Sequence, residues 1–239
     1  MLHLLIINLI SFFLINPLSM NSALSRDLES HYLINQLQRG LNERKNDLLR
    51  ELFLQKSFKE FDKKFLAYTK KYKDTKWSIK IISNQPKKKL IEVKIKSSGK
   101  ISDQIYNLNS NQLVEIETYK NKIKNYKVLN ENSTLNSQGS PLIVKIISPE
   151  KVLTGERYEV NLIVEEPLDN SFLASGMIIL ENQYDIDSYK KFFGIKPNQS
   201  GGLFKFIQAP LKPGFQTISA IIAHPKGIYS ITKKIQVGL

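Results

Sequence analysis

Residues 114–133 read VEIETYKNKIKNYKVLNENS, and the fold depends on where this stretch is divided. Val114, Ile116 and Thr118 alternate with Glu115 and Glu117, a period of two that predicts a strand with one apolar face. Lys120-Asn121-Lys122 predicts a tight turn, and 123–129 the returning strand. The apolar residues then stop. Residues 130–141, NENSTLNSQGSP, hold almost no hydrophobic side chain and end in Gly-Ser-Pro, the composition of a linker. The sequence thus predicts a hairpin closing one domain at residue 130 and a second domain opening at 142.

Working back from this hairpin, the two-residue period persists to Trp77. Ile91, Val93 and Ile95 alternate with Glu92, Lys94 and Lys96, and Trp77, Ile79 and Ile81 with Ser78 and Lys80. Asn84-Gln85-Pro86 separates these two strands, and Ser97-Ser98-Gly99 turns into 101–108. Before Trp77 the period is helical. Leu33, Leu37 and Leu41 recur every four residues within a predicted helical stretch 27–56, with a break at Gly40 and Asn42. Ser57-Phe58-Lys59-Glu60 is a capping box that predicts the start of a further helix. Along it Phe58, Phe61, Phe65, Tyr68 and Tyr72 form an aromatic stripe on one face, the pattern of a core-facing surface.

Beyond residue 141 the pattern is strand and turn. Tyr158, Val160, Leu162 and Val164 alternate with Arg157, Glu159 and Asn161. Strands are also predicted at 142–147, 176–181, 203–208, 216–223 and 228–237, with Gly- and Pro-containing turns between them. About seven short strands in roughly 100 residues predict an antiparallel β-sandwich.

The first half, carried by RGLNERKNDLLRELF and the hairpin quoted above, resembles the nuclear-transport-factor-2-like superfamily. The resemblance implies helices on a curved sheet, a cone with a mostly apolar pocket. The second half, carried by SPEKVLTGERYEVNLIV and LKPGFQTISAIIAHPKGIYSITKKIQV, is similar to bacterial immunoglobulin-like domains. It departs from them where Gln216 stands in place of the corner tyrosine. The expected fold is therefore α+β: N-terminal helices packed on a curved antiparallel sheet over 26–130, a linker at 131–141, and an all-β sandwich over 142–239.

The 239 residues carry 35 Lys+Arg against 22 Asp+Glu, a net charge of +13. Thirty of the cations are Lys and five are Arg, beside 29 Ile and 19 Asn but 6 Ala. That bias is what an AT-rich genome produces, and Arg rather than Lys is the residue of bidentate phosphate recognition. The charge is uneven: residues 76–135 hold 12 basic and 5 acidic groups. Lys87, Lys88, Lys89, Lys120, Lys122, Lys124 and Lys127 are its candidate basic surface, for an anionic lipid, glycan or protein face; a basic nucleic-acid binder is a further alternative, which export disfavours. The chain has no Cys, which excludes disulfides, thiol chemistry and lipidation at cysteine.

Leu2 to Ile15 reads LHLLIINLISFFLI. Its length suits the apolar region of a signal peptide better than a membrane span, and Ala23-Leu24-Ser25 fits a cleavage site. Residues 1–25 are thus expected to be a signal peptide or a short anchor of an exported protein, with membrane contact only through 1–17 if uncleaved. The alternative is the buried first helix of a cytoplasmic protein.

Signs of chemistry are few. His31 and His224 fall in different predicted domains, so neither a metal site nor a Ser-His-Asp arrangement is expected. Asp185 and Asp187 lack the remainder of a calcium loop. No phosphate loop, dinucleotide fingerprint or nucleophile elbow occurs. The one enzymatic alternative is Asp103, with Tyr106, in the pocket implied by the superfamily resemblance. The leading expectation is a non-catalytic binding or assembly module at an envelope or lumenal face, with no cofactor. Its expected partner is another protein or an apolar ligand, in a pocket lined by Phe61, Phe65, Tyr72, Trp77 and Tyr106.

Overall fold

In the computed structural model, residues 122–137 form one continuous strand. The model describes residues 17–238 except 73, 102, 140–141, 166–170 and 181–193. The apolar segment 1–16 and the Asp185/Asp187 segment lie outside the described residues. Three helices come first: α1 (Pro17–Glu43), α2 (Asn46–Leu52) and α3 (Gln55–Lys71). Four long strands follow: β1 (Lys76–Asn84), β2 (Lys88–Ile101), β3 (Gln104–Tyr119) and β4 (Lys122–Ser137). The chain then forms β5 (Val144–Ile147), β6 (Lys151–Val152), β7 (Arg157–Val164), β8 (Leu173–Leu180), β9 (Lys196–Asn198), β10 (Gly202–Gln208), β11 (Gly214–His224) and β12 (Gly227–Val237).

β4 pairs antiparallel with β3 along its whole length, from Tyr119↔Lys122 to Tyr106↔Ser137. Its second half also pairs with β12, from Lys234↔Glu131 to Tyr229↔Asn136. The expected linker is therefore mostly a central strand. A nine-stranded sheet runs β1-β2-β3-β4-β12-β11-β8-β9, with β6 added beside β12. The expected α+β cone with a separate sandwich is replaced by a mostly-β fold in which one antiparallel sheet serves both halves of the chain.

Composition misleads here because a ladder is made by backbone groups. Polar side chains at 130–137 leave the N–H and C=O groups intact, and strands on both sides satisfy them. A bulge hides the period as well. Leu113 pairs with Asn130 and Val114 with Val128, so Leu129 is an extra residue and the inward face passes from Val128 to Glu131.

The two faces of this sheet are covered in different places. Over β1–β4 the helices lie on one face and enclose a core that includes Leu33, Leu37, Leu49, Phe65, Ile91 and Ile116. Over β12, β11 and β8 the opposite face is covered by a second sheet, β10-β7-β5. The core between these two sheets includes Leu162, Leu173, Ile218, Ala220, Ile222 and Ile235. The change of face follows from register. Ser133↔Thr232 and Glu131↔Lys234 share the helix side, and strand alternation puts Ile231 and Ile235 on the other.

Three local expectations change. Gly40 is helical and buried: a Cβ there would lie 2.7 Å from Leu49 Cδ2, so it permits close packing of α1 on α2. The helix instead breaks at Arg44, with φ 54°. Ser57 does not cap α3, which begins earlier, at Gln55. Its hydroxyl donates to the Lys124 carbonyl, and Leu54 N–H donates to the Ile123 carbonyl at 2.9 Å, tying the start of α3 to β4. In the second half, Gln216 supplies a different device from the missing tyrosine. Its Oε1 accepts from the Tyr158 hydroxyl at 2.6 Å, and its Nε2 donates to the Gln208 carbonyl at 3.1 Å. This buried bridge links the two sheets.

Candidate functional site

The aromatic stripe of α3 lies over the inner face of β1–β4. Phe61 stacks on Phe53 with ring centroids 4.7 Å apart and on Phe65 at 5.4 Å. Tyr68 meets Trp77 at 5.7 Å and Tyr72 at 5.0 Å. These rings do not fill the space beneath them. A cavity of about 620 Å³ remains between α1, α3 and the sheet, within the range of ordinary small-molecule sites.

The walls follow the cross-strand register. One row runs Trp77–Ile95–Ser110–Ser133–Thr232, and the next runs Ile79–Val93–Gln112–Glu131–Lys234. In both rows β1 and β2 are apolar, and β3, β4 and β12 are polar. A third row, Ile81–Ile91–Val114–Val128, is apolar throughout. The cavity thus has aromatic and aliphatic walls and one polar flank, with Lys64 of α3 also lining it. Lys64 Nζ lies 5.9 Å from the Tyr126 ring centroid.

The polar flank is internally ordered. Ser133 Oγ donates to Glu131 Oε1 at 2.8 Å, and Ser110 and Ser133 share a hydrogen bond of 2.7 Å. A hydroxyl carries one proton, so Ser110 is the donor of that bond. Thr232 is paired with Ser219 at 2.9 Å.

Phe61, Phe65, Tyr72 and Trp77 line this cavity. Tyr106 does not: it is buried further along β3, with its hydroxyl on Gln104 Oε1 at 3.2 Å. The period-two reading found the apolar wall. The polar flank was missed because Glu131 and Ser133 sit in the supposed linker. Thr232, also missed, joins only through long-range pairing.

Asp103 is fully exposed beside the β2–β3 turn, with Lys100 Nζ at 3.4 Å. The pocket-acid alternative therefore loses its residue. Tyr106, named with it, is outside the cavity as well. His224 lies at the β11–β12 turn, where its Nδ1 accepts from Lys226 N–H at 3.2 Å, and His31 is exposed on α1. No group of three or more metal-ligating side chains occurs among the described residues.

The basic candidates are dispersed. Lys88 pairs with Glu115 at 3.2 Å and Lys124 with Glu117 at 2.8 Å. Lys127 lies over the Phe215 ring at 4.9 Å, and Lys120 over Tyr119 at 5.6 Å. Lys87 and Lys122 are exposed. Lys89 is not a surface residue. It is the second residue of β2 and alternates inward, opposite Ile116. There it lines a recess of about 320 Å³ with Asp27 and Glu29, and burial holds its ammonium below the usual lysine range against the pull of those carboxylates.

A second buried lysine lies beside the cavity. Lys234 is 2% exposed. Its Nζ donates to the Val128 carbonyl at 2.5 Å and lies 4.5 Å from the Phe215 ring centroid. Burial lowers its pKa to about 8, with Glu131 pulling the other way. The unfolded chain holds this proton up to the ordinary lysine value, so between pH 8 and 10 it binds more protons than the folded chain and stability rises with pH. Tyr68 and Tyr158 act in the opposite sense. Burial raises both to about 12, so they cost stability above pH 10. Lys234 is thus expected to contribute a rise of about 2 kcal/mol between pH 8 and 10, which the two tyrosines offset above pH 10. Lys234→Met should remove most of that rise. Denaturant midpoints across pH 7–11 measure both curves, and parallel curves would refute the assignment.

Among the described residues no helix is long and apolar enough to cross a membrane. No curated protein matches the chain. The family described as a domain of unknown function (DUF8623) matches residues 139–238. That segment runs from just after β4 through β12, and of the cavity lining it contains only Thr232.

Proposed function

We propose that this protein is a non-catalytic binding module, exported to an envelope or lumenal face, that holds an apolar small molecule between α3 and the long sheet. The observation that carries this reading is the cavity of about 620 Å³ under the aromatic stripe. An aromatic-walled space with a few convergent polar groups is the usual form of a ligand site. Export is supported by the apolar stretch Leu2–Ile15 followed by small residues. The paired lysines on the outer strand faces give little support to an anionic-surface role, since Glu115 and Glu117 offset them.

The test is binding of the apolar fluorophore N-phenyl-1-naphthylamine to the full chain. Saturable binding is expected at micromolar concentrations. Val114→Phe projects a ring into the middle of the cavity wall and should weaken binding at least tenfold, while overpacking costs about 1–3 kcal/mol of stability. Unchanged affinity in a folded Val114→Phe protein would refute the reading.

A further inference from the structure

The apolar walls and the proton order of this cavity point to one class of ligand. We infer that it takes an amphiphile with an uncharged, hydroxyl-bearing head, such as a monoacylglycerol. The inference rests on the binding reading above and specifies its ligand.

The apolar part follows from the walls. The row Ile81–Ile91–Val114–Val128 is apolar throughout, and Phe61 and Phe65 of α3 line the same cavity, so this end suits a hydrocarbon tail.

The head part follows from hydrogen-bond inventory. The Ser110 and Ser133 protons are both committed in one direction, Ser110 to Ser133 and Ser133 to Glu131. What this relay presents to the cavity is therefore acceptor capacity: the lone pairs of Ser110 Oγ and the remaining positions on the Glu131 carboxylate. The Thr232 hydroxyl is shared with Ser219. Gln112 lies between these groups and makes no side-chain hydrogen bond with any described residue, so its amide offers both a donor and an acceptor. A hydroxyl head donates to Ser110 or Glu131 and accepts from Gln112. A carboxylate or phosphate head has no proton to give to these acceptors. Lys64 lines the cavity but is solvent-exposed on α3, and Lys234, the cross-strand neighbour of Glu131, already donates its Nζ to the Val128 carbonyl.

The experiment is displacement of N-phenyl-1-naphthylamine from the full chain at pH 8 by 1-palmitoylglycerol or palmitate. The monoacylglycerol is expected to displace the dye at least tenfold more effectively than palmitate. Ser110→Ala and Gln112→Leu should each weaken 1-palmitoylglycerol at least fivefold and leave dye affinity within twofold, a split that a folding defect would not produce. If the dye does not bind wild-type protein, the binding reading itself fails. If the dye binds but palmitate competes as well as the monoacylglycerol, or the two variants bind it normally, the ligand class is wrong and the binding reading stands.

Discussion

Asn132→Pro is expected to destabilise the protein by about 3 kcal/mol or more, and to loosen both halves together. Asn132 pairs with Asn111 on one side and Lys233 on the other. In a strand with neighbours on both sides, every N–H has a ladder partner, and proline removes the donor while its ring distorts the pairing. A proline in a true linker would be neutral or slightly stabilising, because it only restricts the unfolded chain. Chemical denaturation followed by Trp77 fluorescence and far-ultraviolet circular dichroism separates the two cases. A midpoint shift of less than 0.5 kcal/mol equivalent would show that the halves do not depend on β4. Since Trp77 is far from β12 in the sheet order, coincident loss of both signals would show that the shared sheet makes the halves cooperative.

Gln216→Leu is expected to cost about 1–3 kcal/mol although leucine is apolar and similar in length. Gln216 is 2% exposed, and its two bonds go to the buried Tyr158 hydroxyl and to the carbonyl of the exposed Gln208. Removing it leaves the Tyr158 hydroxyl buried without its partner, while solvent can reach the Gln208 end. Adding Tyr158→Phe should recover part of the loss, because the orphaned hydroxyl goes with it. A double-mutant cycle measures the coupling, and purely additive effects would mean that the bond between them contributes nothing. Glu at 216 should be worse near neutral pH, since it adds a buried charge and removes the donor to Gln208.

The cavity and the shared sheet have one origin. β4 supplies Tyr126 and Val128 to the apolar wall and, past the bulge at Leu129, Glu131 and Ser133 to the polar flank. The same residues pair with Lys234 and Thr232. A ligand head at this flank therefore sits where the two halves join, so ligand binding should raise the cooperative stability of the whole chain as well as the helical end.

Much of this protein was legible in its sequence. The alternation of Trp77, Ile79, Ile81 and of Ile91, Val93, Ile95 fixes which side chains face the core, because successive side chains in a strand point to opposite faces. The spacing of Phe61, Phe65 and Tyr72 puts them on one side of α3 for the same kind of reason. The strand-rich second half was readable from its turns. These are local regularities, set by two or three bonds of backbone geometry. Tertiary structure alone decided the rest. NENSTLNS has no hydrophobic period, and it became a central strand because β3 and β12 offered backbone partners on both sides. The faces of Glu131 and Ser133 depended on one extra residue in a bulge. Lys89, which read as a surface charge, was buried by the packing of elements distant in the chain, and so was Lys234. Long-range pairing set the polar flank, and with it the preference for a ligand head, because hydrogen-bond partners 100 residues apart leave no mark on the local sequence.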